Sequence, residues 1–245
     1  MVATKSSILD WLRRPGIGFL RMMQLRSPVH YSKWIEGSTN MSTRGVLQAV
    51  LFPVMRGLMV FALALASVFA QPSQALANED AAGQYVQRMA RDLIAANKAG
   101  DIKTFSDTFN RHANIGAIGT YALGSHQAKL RPEDKSGYFV GMVRFISKYA
   151  ATESQKYQVS HLQVLGPSRR VNAGVMVDTK VHLRDGQSYD VQWLLQPAGA
   201  GYKVRDAKVQ VLLGDFWMTP FLKDLFEKYI ADNGSVAALV MALNR

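Results

Sequence analysis

The sequence predicts an α+β fold: a helical first half packed on a curved, four-stranded antiparallel meander and closed into a cone by two C-terminal helices. Three observations carry this expectation. Apolar residues recur with helical spacing from Asn78 to about Ala151, the period switches to two after Lys156, and Thr219-Pro220 restarts a helical pattern that runs to the C-terminus.

The first helix follows from Tyr85, Met89 and Leu93 at fourth positions with Val86 and Ala90 beside them, and it ends at Ala99-Gly100. Lys103 to Ala113 continues with Phe105 and Phe109 spaced for one face. The Gly-rich stretch Ile115 to Gly124 reads as a short helix in close backbone contact with a neighbour. A G-x-x-G nucleic-acid clamp is the sharper reading of it, and no basic residue lies inside to support one. Pro132 opens the strongest helix, with Glu133 and Asp134 complementing the dipole and an apolar set of Tyr138, Phe139, Met142, Val143, Phe145, Ile146, Tyr149 and Ala150. That face is wide enough to pack on a sheet or to line a cavity.

Tyr157 to Leu165 is the first expected strand, turned by Gly166-Pro167. Val171 to Leu183 is the second, with its apolar residues at odd positions. Asp185-Gly186 is a hairpin signal leading to Tyr189 to Leu195, and Pro197 to Gly201 turns the chain into Tyr202 to Leu213. Thr219-Pro220 is the expected cap and first turn of a helix presenting Phe221, Leu222, Leu225, Phe226, Tyr229 and Ile230. Asn233-Gly234-Ser235 ends it and starts a last helix with Val236, Leu239, Val240 and Leu243 inward.

Upstream, residues 41–77 have the layout of a cleaved secretory signal peptide. Arg44 and Arg56 give a basic entry, Gly57 to Ala70 an apolar run, and Ala75-Leu76-Ala77 a small-x-small cleavage site. The run is shorter than the roughly 20 apolar residues that span a bilayer. Residues 1–40 read as an upstream extension, and residues 78–245 as one exported domain. Of the formal net charge of +11, more than half falls before Asn78, so the basicity is a poor argument for nucleic acid and suits at most an anionic surface. Cysteine is absent, which excludes a disulfide framework, a thiolate metal site, a thiol nucleophile and a lipobox anchor.

Catalytic signatures are missing as well. His112, His126, His161 and His182 lie in no ligand spacing, so no metal is expected, and there is no G-x-S-x-G elbow, dinucleotide fingerprint or Walker loop. Asp178 and His182 share a strand face, the one opposite the apolar side. The paired acids Glu79-Asp80 and Glu133-Asp134 are explained by helix starts. What remains is a wide apolar helix over 132–151 facing the odd-position sheet residues Val175, Val177, Val181, Val191, Trp193 and Leu195, which closes as a solid core or stands apart as a ligand cavity.

The order of these parts resembles the MlaC family, also called Ttg2D or toluene-tolerance auxiliary components of an ABC transport system. The resemblance is carried by the Phe105-x-x-x-Phe109 and Gly119-Thr120-Tyr121 segments, Phe145-Ile146-Ser147-Lys148-Tyr149, the meander, and Tyr202-Lys203-Val204-Arg205-Asp206 leading into a terminal helix pair. It spans nearly all of 78–245. It implies a periplasmic carrier, without catalysis or cofactor, that holds phospholipid as cargo between helices and a curved sheet. The implied partners are an inner-membrane ABC transporter and an outer-membrane lipoprotein–porin complex, with transient contact to membrane surfaces. It also implies a related branch associated with hopanoid lipids. Where the family shows a Gly-Val-Ser segment and an Arg-Ser-x-Phe helix start, this chain has Val211 to Pro220, with Gly214 and Phe226 as counterparts of the Gly and Phe.

On this reading Phe139, Val143, Ile146, Val177, Val181, Trp193, Val209 and Val211 line the lipid cavity. Two readings compete with it. One is an NTF2-like enzyme acting on a small apolar substrate, with Asp206 and His161 as its acid–base candidates. The other is an interaction module with an exposed apolar patch and no enclosed cavity.

Overall fold

The computed structural model of the chain describes Ile8 and residues 80–211 and 214–245, with the backbone alone of Val211 and Gly214. The leader assigned to 1–77 lies outside these residues, apart from Ile8.

Four of the helices begin where a neighbouring side chain satisfies a first-turn amide. Helix α1 (Ala81–Ala99) starts at Asp80, whose Oδ1 accepts from the Gly83 amide at 2.8 Å, and stops at Gly100 in a left-handed conformation. Asp101 caps α2 (Ile102–His112) through the Thr104 amide, and Asn114 caps α3 (Ile115–Leu123) through the Ala117 amide. The expected start of the long helix at Pro132 moves: Pro132–Asp134 form a 3-10 turn, and α4 runs from Lys135 to Ser154. Helix α5 (Met218–Asn233) and helix α6 (Val236–Leu243) close the chain, with Ser235 capping α6 through the Ala238 amide.

The α+β class and the antiparallel sheet are as the sequence predicts, but the sheet has six strands rather than four: β1 (Val159–Val164), β2 (Arg169–Val171), β3 (Gly174–Leu183), β4 (Ser188–Ala198), β5 (Gly201–Val211) and β6 (Gly214–Trp217). Their order is β1-β3-β4-β5-β6, with β2 also paired to β3. The expected strand Val171 to Leu183 is interrupted at Asn172-Ala173, where a tight turn sends β2 back against Met176 and Val175. Gly174 makes that turn possible, because a Cβ there would sit 2.0 Å from the Leu195 carbonyl oxygen. In effect β1 and β2 are one edge strand broken at Gly166-Pro167, since proline has no amide to donate to the ladder. The Asp185-Gly186 hairpin forms as predicted, with Asp185 Oδ1 accepting from the Gln187 amide at 3.0 Å.

Two separate apolar cores result. The helical core joins α3, α4, α5 and α6 through Ile118, Leu123, Tyr138, Met142, Phe145, Leu225, Phe226 and Leu239, with Ile8 buried among them. Here α3 and α4 touch closely: a Cβ on Gly119 would lie 2.7 Å from the Phe139 ring, and the Tyr138 hydroxyl donates to the Gly119 carbonyl at 2.8 Å. The sheet core packs Val86 and Met89 of α1 on Val177, Leu195 and Val204. A smaller cluster of Met176, Leu194 and Trp217 occupies the opposite sheet face, so that face is not wholly polar as strict alternation predicts. No helix among the described residues is long and apolar enough to cross a membrane.

Candidate functional site

Between the two cores lies a cavity of ≈ 480 Å³. Polar fastenings hold its walls apart. At one end Asn97 on α1 donates to the Tyr157 carbonyl at 3.0 Å and accepts from the Val159 amide at 3.0 Å, fixing the helix to β1. At the other, the Asn114 amide donates to the Val204 carbonyl at 2.8 Å and its side chain to Gln196 at 3.1 Å, while Lys203 donates to the Asn110 and Arg111 carbonyls at the end of α2. Val159 and Val204, beside these fastenings, both line the cavity. Helices and sheet are thus joined by hydrogen bonds at the ends of the cavity as well as by the sheet core under α1.

Five of the residues expected on the wall are there: Val143 and Ile146 from α4, Val181 from β3, Trp193 from β4 and Val209 from β5. Phe139 is not. It points to α3 and packs against the helical core, with its ring edge-on to Tyr138. Val177 is also elsewhere, fully buried in the sheet core beneath α1. The side chain of Val211 lies outside the described residues.

Sequence reasoning did not place α1, α2 and α5 on the wall, although Met89, Leu93, Phe109, Phe221, Leu222 and Leu225 contribute much of it. The helical spacing of Met89 and Leu93 was visible, but spacing alone gives a buried face without saying what it faces. Tyr149 also lines the cavity, and burial pushes its hydroxyl up to about 12.

Few polar side chains reach the wall. Thr108 is committed to the Thr104 carbonyl at 2.8 Å. Asp206 is almost completely buried, and its Oδ1 accepts from the Ala207 and Thr219 amides at 2.8 and 2.9 Å. That second bond revises the expected cap of α5. The helix begins at Met218, Thr219 lies inside its first turn, and no local side chain caps it, so Asp206 reaches across from β5 to satisfy the amide. A register shift opposite Leu194 and Leu195 leaves Arg205 as the extra residue of β5 next to Asp206.

His161, the other acid–base candidate, is not on the wall. Its ring stacks on His182 across β1 and β3 at 4.2 Å. Asp178 does not orient His182 either, because it accepts from Gln192 at 2.6 Å and lies 3.6 Å from Arg169. His112 is the basic side chain on the described wall. Its Nε2 lies 2.8 Å from Asp92 Oδ2 and its Nδ1 3.2 Å from the Tyr85 hydroxyl. Hydrogen bonds from His112 and Arg111 hold Asp92 below the usual carboxylate range. Among the described residues no group of three or more His, Asp or Glu is placed to hold a metal ion.

A helical layer and an antiparallel sheet held apart around an apolar cavity define a fold suited to enclosing an apolar ligand. The chain belongs to the MlaC family: the family model described as MlaC protein matches residues 79–244. Among solved structures it is similar to a phospholipid-binding protein from Ralstonia solanacearum, in complex with a phospholipid, at 20% identity and a TM-score of 0.51. The match covers 67% of this chain and 95% of that one. Comparison with curated proteins gives no match.

Proposed function

We propose that this chain is an exported, non-catalytic carrier that encloses the acyl chains of a phospholipid in its cavity. It ferries the lipid through the periplasm between an outer-membrane lipoprotein–porin complex and an inner-membrane ABC transporter. The observation that carries the reading is the apolar cavity of ≈ 480 Å³ between two independent cores, in a chain of the MlaC family. The phospholipid held by the Ralstonia solanacearum protein of like fold supports the same cargo class. At about 0.8 kcal/mol per buried methylene, two ordinary acyl chains cost roughly 20 kcal/mol or more to expose to water, so lipid does not cross an aqueous compartment without an enclosing wall. Asp206 already caps α5, which leaves it poorly suited to proton transfer.

Val143, Ile146, Val181, Trp193 and Val209 are assigned to the acyl chains in this reading. Cleavage after Ala77 would free the carrier from its leader. The test is native mass spectrometry of the protein purified from the exported fraction of a Gram-negative host, with lipid extraction and N-terminal sequencing. Copurified phospholipid at close to one per chain and a mature terminus near Asn78 are expected. A protein recovered free of lipid, which also takes up none from vesicles, would refute the carrier.

A further inference from the structure

We infer that the part of the cavity wall at His112, beside which Arg111, Arg88 and Lys203 lie, holds the phosphodiester of the bound lipid; the inference rests on the carrier reading above. His112 brings basic character to a wall that is otherwise apolar around it. Its side chain is only 12% exposed, yet both ring nitrogens are hydrogen-bonded.

The ring is fixed in place at the wall: the Tyr85 hydroxyl lies 3.2 Å from Nδ1 and 3.3 Å from the His112 carbonyl, and Nε2 lies 2.8 Å from Asp92 Oδ2.

Permanent charge surrounds it. Arg111 donates to the same Asp92 oxygen at 2.7 Å and is well exposed. Lys203 caps the end of α2, and Arg88 is close enough for its charge to act on Tyr85. The plain structural account is that basic groups complement the C-terminus of α2. That end carries only about half a negative charge. Against it and the carboxylate of Asp92 stand three guanidinium or ammonium groups, so a surplus of positive charge remains beside His112. An anion tethered to apolar chains satisfies both sides of that boundary, and a phosphodiester accepts from several donors at once.

The test uses protein purified after expression of the whole chain and vesicles holding equal amounts of phosphatidylglycerol and diacylglycerol with identical acyl chains. The lipid taken up is read by mass spectrometry. The native protein is expected to prefer phosphatidylglycerol by roughly tenfold, as charge-assisted contacts to phosphate imply. The exposed double substitution Arg88→Ala/Arg111→Ala should bring the ratio close to one. Asp92→Asn, which removes the competing anion, should raise the ratio. Equal uptake by the native protein, or a preference that survives the double substitution, would overturn the inference and leave the carrier standing. A preference abolished by excess inorganic phosphate without loss of lipid would overturn it in favour of a free-anion site. Failure to take up either lipid would bring down the carrier reading, and this inference with it.

Discussion

The helical core and the sheet core solve the same burial problem in different ways. In the helical core, aromatic rings meet at steep angles: the Phe226 ring centre lies 6.2 Å from that of Tyr138, edge-on, and 6.2 Å from that of Phe145, tilted, and Gly119 lets two helices approach until only a hydrogen atom fits between them. The sheet core closes under the first half of α1, then opens into the cavity as α1 continues to Leu93 and Ile94. The first core is filled with its own side chains, and the second is backed by polar fastenings beside a gap. Stability and capacity are therefore placed in separate parts of one domain, and substitutions in each should report on different properties.

The largest effect is expected in the filled core. Phe226→Ala should cost about 3–5 kcal/mol, seen as a lower urea midpoint at unchanged slope. A cost below about 1 kcal/mol would show that this core is no more tightly packed than the cavity wall. Next comes the link between the two regions. Asp206→Ala should cost about 1–3 kcal/mol by leaving a buried first-turn amide of α5 unpaired, and Asp206→Asn, which keeps an acceptor oxygen, should recover much of it.

Ala207→Trp sharpens the contrast from the other side. Its new ring enters the cavity from β5, so stability should stay within about 1 kcal/mol of the native protein while copurified lipid disappears. A loss of stability as large as that of Phe226→Ala would mean the space is not available to a ligand. Smaller effects come from titration. The hydroxyl of Tyr149 is pushed up to about 12 from an ordinary 10.0, so an unfolded chain gives up that proton before the folded one does. Stability should fall as pH rises from about 10 towards 12, and Tyr149→Phe should flatten that limb in chemical denaturation at each pH. The smallest change belongs to Asp92. Because its folded value is depressed, its contribution is present above the unfolded value of 3.8 and is lost as pH falls through the folded one. Asp92→Asn should therefore soften acid unfolding only slightly, since the carboxylate is over a third exposed.

Much of the fold was legible because the periods are local properties. The end of α1 at Gly100, the Asp185-Gly186 hairpin and the apolar odd face of the sheet all follow from neighbours within a few residues. The site was legible only in part, for a reason that Phe139 and Val143 make plain. They are four residues apart on one face of α4, and periodicity treats them alike. One turn of helix separates a ring packed against Gly119 from a methyl group facing the cavity. Val177 and Val181 repeat the lesson on β3, where four residues span about 13 Å and carry the chain from beneath α1 to the open gap. Pattern identifies the buried face, while the partner depends on how far along the element its neighbour stops. The cap that Asp206 gives to α5 was hidden for a related reason, because no spacing rule connects an aspartate on a strand with an amide 13 residues later.

The interruption at Gly166-Pro167 has a consequence for the protein in company. The sheet ends on one side in β1 and β2, neither longer than six residues and with a proline between them, and on the other in the four-residue β6. Long flat borders recruit strands from neighbouring molecules, and short broken ones do not. A chain whose middle strands are rich in valine and leucine thus offers its neighbours, among the described residues, no long sheet border on which to add a strand.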